Sequence, residues 1–419
     1  MKRAQRIFMN LLAVAALFTS THAAESNTAA VGRLDLEISF FTHKLVTDPK
    51  SFMMAKELGA AYNSKARLTG SLADYRLAEG AFRQSLKIQP EHNSDAVFGL
   101  ATTLSSQHKF KEAKGVLVTV LSEAAVNPTI TAVLGDVAYE LGDYMTAEES
   151  YAKFAVEKPG MAAWSRLAKV HLLHGRWDEA DALWNKCVKL PVGSNPEPSA
   201  WASVMYGDLY LRKGEVPQAR AHFLKSLEIL PGYPIALEHL AETYEIEGDD
   251  KSAAPLLDSA LSQIIHHDLI FRRADISERM GDKVHAARLR DSAHALLSSE
   301  IAAGDVGHRR VLAEYLLKFS DRKHEAWMLA KAEAADRGDI ETDMLMARAL
   351  FVNGNIGEAV KYADRALRFG SYEPHLYKYA VQIYESANLP SKADECRAML
   401  AKLNPTQFGE SFAAKSASK

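Results

Sequence analysis

The chain has 419 residues, of which 50 are Lys or Arg and 53 are Asp or Glu, with 47% hydrophobic residues and a formal charge of −3. This mild acidity argues against broad nucleic-acid binding. Two cysteines cannot make a disulfide framework.

The first 24 residues are set apart by their pattern. Lys2, Arg3 and Arg6 give a positive start, Ile7 to Phe18 is an apolar run, and Thr21-His22-Ala23-Ala24 supplies small residues. This predicts a secretory signal peptide over residues 1–24, its apolar part too short to span a bilayer stably. The alternative is an uncleaved anchor. No later stretch is apolar enough to cross a membrane, and no cysteine near the cleavage site could carry a lipid. Without those three bases, the 50 basic residues fall to 47 against 53 acidic ones, a net charge of −6. The two cysteines, Cys187 and Cys396, lie too far apart for a mutual disulfide to be expected, and no Asn-x-Ser/Thr acceptor has a non-proline middle residue. Both absences favour a bacterial envelope over a eukaryotic secretory route, and a periplasm most simply.

Residues 25–50 form the next segment. Leu34, Leu36, Ile38, Phe40, Phe41, Leu45 and Val46 mark one amphipathic helix ending near Pro49. We read it as a cap on the segment C-terminal to it.

From residue 51 to 405 a ladder of alanines runs through Ala78, Ala113, Ala147, Ala180, Ala219, Ala253, Ala286, Ala326, Ala359 and Ala393. The steps are 35, 34, 33, 39, 34, 33, 40, 33 and 34 residues. A period near 34 is the signature of stacked helix–turn–helix units. Each rung travels in a frame, clearest in Leu134-Gly135, Gly142-Asp143-Tyr144, Ala147, Tyr151, Phe154 and Pro159. Apolar spacings of three, four and seven define one buried helix face. The glycine five before the rung falls in a turn where a left-handed backbone is needed, and the later proline closes the second helix. The alanine lies where two antiparallel helices approach closely, so a larger side chain would overpack the contact.

This frame resembles that of the tetratricopeptide-repeat family, and the likeness covers about ten units in register. It implies an all-α, right-handed superhelical solenoid that binds proteins and needs no cofactor or metal. Its departures are local. The first unit has about seven extra residues between its helices, Ser64 to Gly70. Pro191 to Pro198 adds a loop, a helix extended across Leu296–Ala303 explains the step to Ala326, and Asn388 replaces the last turn glycine. The seventh and eighth units retain Arg273-Ala274 and Leu312-Ala313 but lose most aromatics. Residues 406–419 are small, polar and aperiodic, which predicts a disordered tail.

Chemistry is sparse. His171 and His174 have metal-compatible spacing, but His171 fills a packing position. His266 and His267 are adjacent and cannot face one site from a helix. Cys187 takes an inward packing position, and Cys396 has no nearby base in sequence. Trp164, Trp177 and Trp184 occupy core positions of the frame. In this family the first helix of each unit lines the inner surface, which turns Phe98, Tyr139, Trp201, Phe271 and Phe351 toward a groove. On the same surface Asp208, Glu238, Glu242, Glu245, Asp268, Asp275 and Glu278 face only Arg212 and Arg279. The family's carboxylate clamp needs Lys and Asn where this chain has Lys56 with Ala60 and Phe98 with Thr102, so acidic C-terminal peptides are not expected ligands. The reading is an exported scaffold or assembly factor for an envelope complex, without catalysis, with a partner-binding groove of Asp208, Glu238, Glu242, Glu245, Asp275, Glu278, Trp201, Phe98 and Phe271. It would take a protein or peptide segment, basic ones favoured, and no nucleic acid. The alternatives are a component of polysaccharide synthesis or export and an enzyme with its site in the groove.

Overall fold

The computed structural model describes residues 31–69, 71–119, 127–304, 306–319 and 321–405. The segment read as a signal peptide and the C-terminal tail lie outside the described residues. All regular structure among the described residues is helical. A first helix, α1, spans 31–47. The helices then pair in chain order: α2 (Phe52–Thr69) with α3 (Leu72–Ile88), α4 (Ser94–Ser106) with α5 (Phe110–Val118), and α6 (Pro128–Glu140) with α7 (Tyr144–Glu157). Next come α8 (Met161–Leu173) with α9 (Trp177–Val188), α10 (Glu197–Arg212) with α11 (Val216–Ile229), and α12 (Pro234–Ile246) with α13 (Asp250–Leu261). The last pairs are α14 (His267–Arg279) with α15 (Lys283–Ala302), α16 (Arg309–Phe319) with α17 (Lys323–Asp336), α18 (Ile340–Val352) with α19 (Ile356–Leu367), and α20 (Pro374–Ser386) with α21 (Pro390–Leu403).

All ten rung alanines are 0% exposed, which fits their place at the closest helix–helix approach. Opposite them, small residues on first helices admit aromatics from second helices. A Cβ on Gly207 would lie 2.5 Å from the ring of Phe223, which is itself fully buried. Such a group would force repacking of a dense interior.

Most turns between paired helices also follow from the sequence. In eight pairs the residue five before the rung has positive φ: glycine in six, at 66° to 90°, and His108 and Asn388 at 57° in the other two. An aspartate often follows and caps the second helix. The side chains of Asp143, Asp249 and Asp282 accept from the amides of Thr146, Ser252 and His285. Such caps satisfy donors that the first helical turn leaves open.

Two irregularities differ in kind. α15 does continue to Ala302, lengthening the seventh unit. The extra residues of the first unit, expected between its helices, instead extend α2 to Thr69. Ala61 and Ala66 bury on that longer helix, and burial favours helix over loop there.

The chain divides into two compact units. One comprises the residues through Lys158 with Gly304–Gly307, the other Pro159–Ala303 with His308 onward. In the first, Phe82, Leu100, Leu104, Leu117 and Ile130 form a continuous core across neighbouring pairs. In the second, first helices touch first helices two elements on, as α10 meets α12, α16 meets α18 and α18 meets α20. They form an inner layer, and this layer curls far. The amide of Tyr372 donates to the carbonyl of Leu172 at 2.8 Å, and the Trp177 and Tyr372 rings lie 4.8 Å apart.

Candidate functional site

The acidic positions of the inner layer are each set beside a base, several of them at positions the repeat frame does not highlight. On α12, Glu238, Glu242 and Glu245 project one helical turn apart. Arg272 of α14 reaches all three, at 3.5, 3.1 and 2.9 Å. Arg279 adds a second contact to Glu245 at 2.8 Å. Further along, Arg290 of α15 pairs with Asp275 at 2.9 Å and with Glu278, and Lys318 reaches Asp275 at 2.6 Å. Asp208 holds Arg212 at 2.8 Å, and Arg212 also pairs with Glu373. Only Asp268 has a looser companion, His266 at 4.0 Å.

This lattice shifts protonation. Burial alone would raise the Glu242 carboxyl, but His239 and Arg272 overcome it and hold the group at about 2. Burial would lower Arg272 and Arg212, and their carboxylate partners raise both instead. Near neutral pH the Glu242–Arg272 pair is therefore ionised. Six of the seven acidic groups read from the sequence thus have an Arg or Lys partner, from the same or a neighbouring repeat.

Two clefts open on this face. The first, of about 540 Å³, has Leu211, Val216 and Ile246 beside the Glu242–Glu245–Arg272 group. The second, of about 400 Å³, has a buried apolar floor in Met344 and Leu345 and a rim of Arg310, Glu314, Arg348 and Tyr379. Arg310 is engaged, donating to Asp339 at 2.7 Å and Thr342 at 2.6 Å. Arg348 is different. Its guanidinium lies over the Tyr379 ring, 3.9 Å from the centroid, and has no ion pair among the described residues. Glu314 likewise has no ion pair there. Its carboxyl is raised by dehydration within the concavity, against the pull of Arg348 and Arg310. An apolar floor with a few uncommitted polar groups is what a binding cleft requires.

The candidate aromatics are half-buried and packed. Trp201 lies 5.6 Å from Trp184, edge to face, and Phe271 stacks on Tyr315 at 4.7 Å. Phe98 packs against the core of the first compact unit, whereas the other candidate groove residues belong to the second. These rings cover adjacent repeats more than they offer open contact.

Both cysteines are free and buried, and burial pushes each thiol up to about 11. Neither is a nucleophile at neutral pH. The His174 ring packs edge-on against Phe369 at 5.5 Å. His267, by contrast, turns inward beside Glu300 and His308, two residues that sequence spacing does not connect to it.

Residues 132–184 match the tetratricopeptide-repeat family model. No curated protein matches the chain. Among solved structures, PilW, described as a widely conserved type IV pilus biogenesis factor, is similar at 20% identity over 49% of this chain and 94% of its own, with a TM-score of 0.41. A tetratricopeptide repeat protein from Parabacteroides merdae aligns at 19% identity over 57% of this chain and 93% of that one, TM-score 0.43. Human IFIT1, solved as a dimer with PPP-AAAA, aligns at 20% identity over 76% and 73%, TM-score 0.48. No helix among the described residues is long and apolar enough to cross a membrane. Residues 132–184 are thus the segment matched as tetratricopeptide repeat, and the same paired-helix geometry recurs on either side of it among the described residues.

Proposed function

We propose that this protein is an exported scaffold that binds a segment of a partner protein on the inner face of its second unit, without chemistry of its own. The observation that carries the reading is Arg348, its guanidinium over the Tyr379 ring beside Met344 and Leu345 and with no ion pair among the described residues. An arginine pre-positioned by an aromatic loses little freedom on binding, and such residues anchor interfaces. Glu314 offers the opposite sign nearby, so the segment recognised carries an acidic group for Arg348 and a polar or basic one for Glu314. Because Arg272 already holds Glu238, Glu242 and Glu245, the partner does not need a strongly basic stretch.

Export to a periplasm, in support of an envelope complex, completes the proposal and rests on the basic start and apolar run of residues 1–24. N-terminal sequencing of the protein from its native host tests it: Ala24 or Glu25 is expected, and retention of Lys2 would contradict cleavage. For binding, proteins co-purifying from an envelope extract are compared between the natural chain and Arg348→Glu. The variant should lose a partner that the natural chain retains, and an identical set would contradict the assignment.

A further inference from the structure

His267 opens α14, Glu300 lies in the last turn of α15, and His308 caps α16 through the amide of Leu312. Three elements thus send one side chain each to a single point. Glu300 Oε2 lies 2.9 Å from His267 Nε2 and 2.9 Å from His308 Nδ1. All three facing atoms are sealed from solvent, His267 as a whole is 5% exposed, and the two rings stand edge to face at 4.6 Å. The ligand-capable atoms fit within 4.8 Å of one another.

We propose that His267, Glu300 and His308 form a site for a divalent first-row transition ion, zinc foremost. Two imidazole nitrogens and one carboxylate oxygen are a donor set that zinc takes with a fourth position left open. Ligands about 2.0–2.1 Å from a tetrahedral ion lie a little over 3 Å apart, so the two 2.9 Å separations need only a slight opening. The charge balance also fits. One carboxylate and two neutral imidazoles leave the ion's second charge for water or another anion, and the nearest arginine in sequence, Arg309, is engaged with Glu333 and Asp336. A second cluster, Glu341, Glu373 and His375, is equally tight but has Arg212 paired to Glu373, a guanidinium already in the cation's place.

The position gives the site a purpose. It joins the seventh and eighth repeats, where the step between rungs is longest and most frame aromatics are missing. An ion there would tie α14, α15 and the start of α16 where ordinary repeat packing is thinnest, and binding to the folded state alone would stabilise it by mass action.

The test uses the full mature chain, stripped with chelator and titrated with cobalt(II), whose visible absorption reports low-coordinate geometry, and then with zinc. One equivalent of cobalt should bind with intense visible bands, zinc should displace it, and the melting temperature should rise with metal. His308→Gln should lose at least ~100-fold in affinity, since even outer-shell changes cost 10- to 100-fold. Its helicity in chelator should be unchanged, because His308 is only a turn residue before α16. His267→Gln should behave alike if it folds, while His266→Gln should bind as the natural chain does. No saturable binding, or equal binding by the natural chain and His308→Gln, would overturn the proposal and leave an ion-pair staple.

Discussion

The amide of Tyr372 donates a hydrogen bond to the carbonyl of Leu172, joining positions 200 apart in a repeat array. Such arrays couple mainly to nearest neighbours, so this bond marks a different regime within the second unit. It has company: Trp177 against Tyr372, His174 against Phe369, and Arg212 paired with Glu373. Gly175 makes the approach possible, since a Cβ there would lie 2.6 Å from the carbonyl oxygen of Gly370. Tyr372→Ala should therefore cost about 3 kcal/mol or more as a large buried aromatic, and should broaden or split the second unit's unfolding. Gly175→Ala, at φ 66°, should cost more than the ~1–2 kcal/mol of a left-handed residue. Denaturant unfolding followed by Trp fluorescence checks both.

Arg272 should govern the acid stability of the α12–α14 contact. Glu242 sits at about 2, below its ordinary 4.5, so its contribution is present above pH ~4.5 and lost as pH falls toward 2. Removing the guanidinium in Arg272→Ala should raise the Glu242 carboxyl, shift acid unfolding to higher pH and cost about 1–3 kcal/mol at neutral pH. For the same reason Lys at 238, 242 and 245 together should destabilise the fold by placing three cations against Arg272. A carboxyl titration by NMR and an acid melt follow these changes.

Asp343 behaves in the opposite sense. Burial raises its carboxyl to about 6 in spite of Arg365 at 2.8 Å and Arg368 at 3.0 Å. Because the folded value exceeds the unfolded one, this group's contribution is most favourable below pH ~4 and is lost as pH rises through 6. Asp343→Asn should thus gain on the natural chain by roughly 2 kcal/mol between pH ~4 and pH ~7. Melting temperatures of both chains across that range decide the sign.

Asn388 takes φ 57° where six sister turns use glycine. Asparagine tolerates that conformation better than other side chains do, yet Asn388→Gly should still stabilise slightly, and Asn388→Ala should cost about 1 kcal/mol. Thermal melts of the two variants should move in opposite directions.

Much of the fold was legible in the sequence because repeat chemistry is local. The rung alanines and the turn glycines meet their structural demands within one helix pair, and a frame about 34 residues long displays them. The candidate site was legible only in half. Glu238, Glu242 and Glu245 stand out together on one helix, but Arg272 answers them from the next repeat, at a position the frame treats as neutral. The closure at Tyr372 depends on rotation accumulated over several repeats, which no local pattern encodes. His267 drew attention beside His266, while Glu300 and His308, 33 and 41 positions away, are brought to it only by the length of α15.

Photo-crosslinking in the native host tests partner binding at the inner face most directly. A photoreactive residue replaces Tyr379 in one chain and Lys361, on the exposed side of α19, in another. The account predicts a discrete crosslinked protein from position 379, competed away by high salt in line with a charged rim, and none from position 361. Equal adducts from both positions, or adducts from position 361 alone, would contradict binding at this cleft.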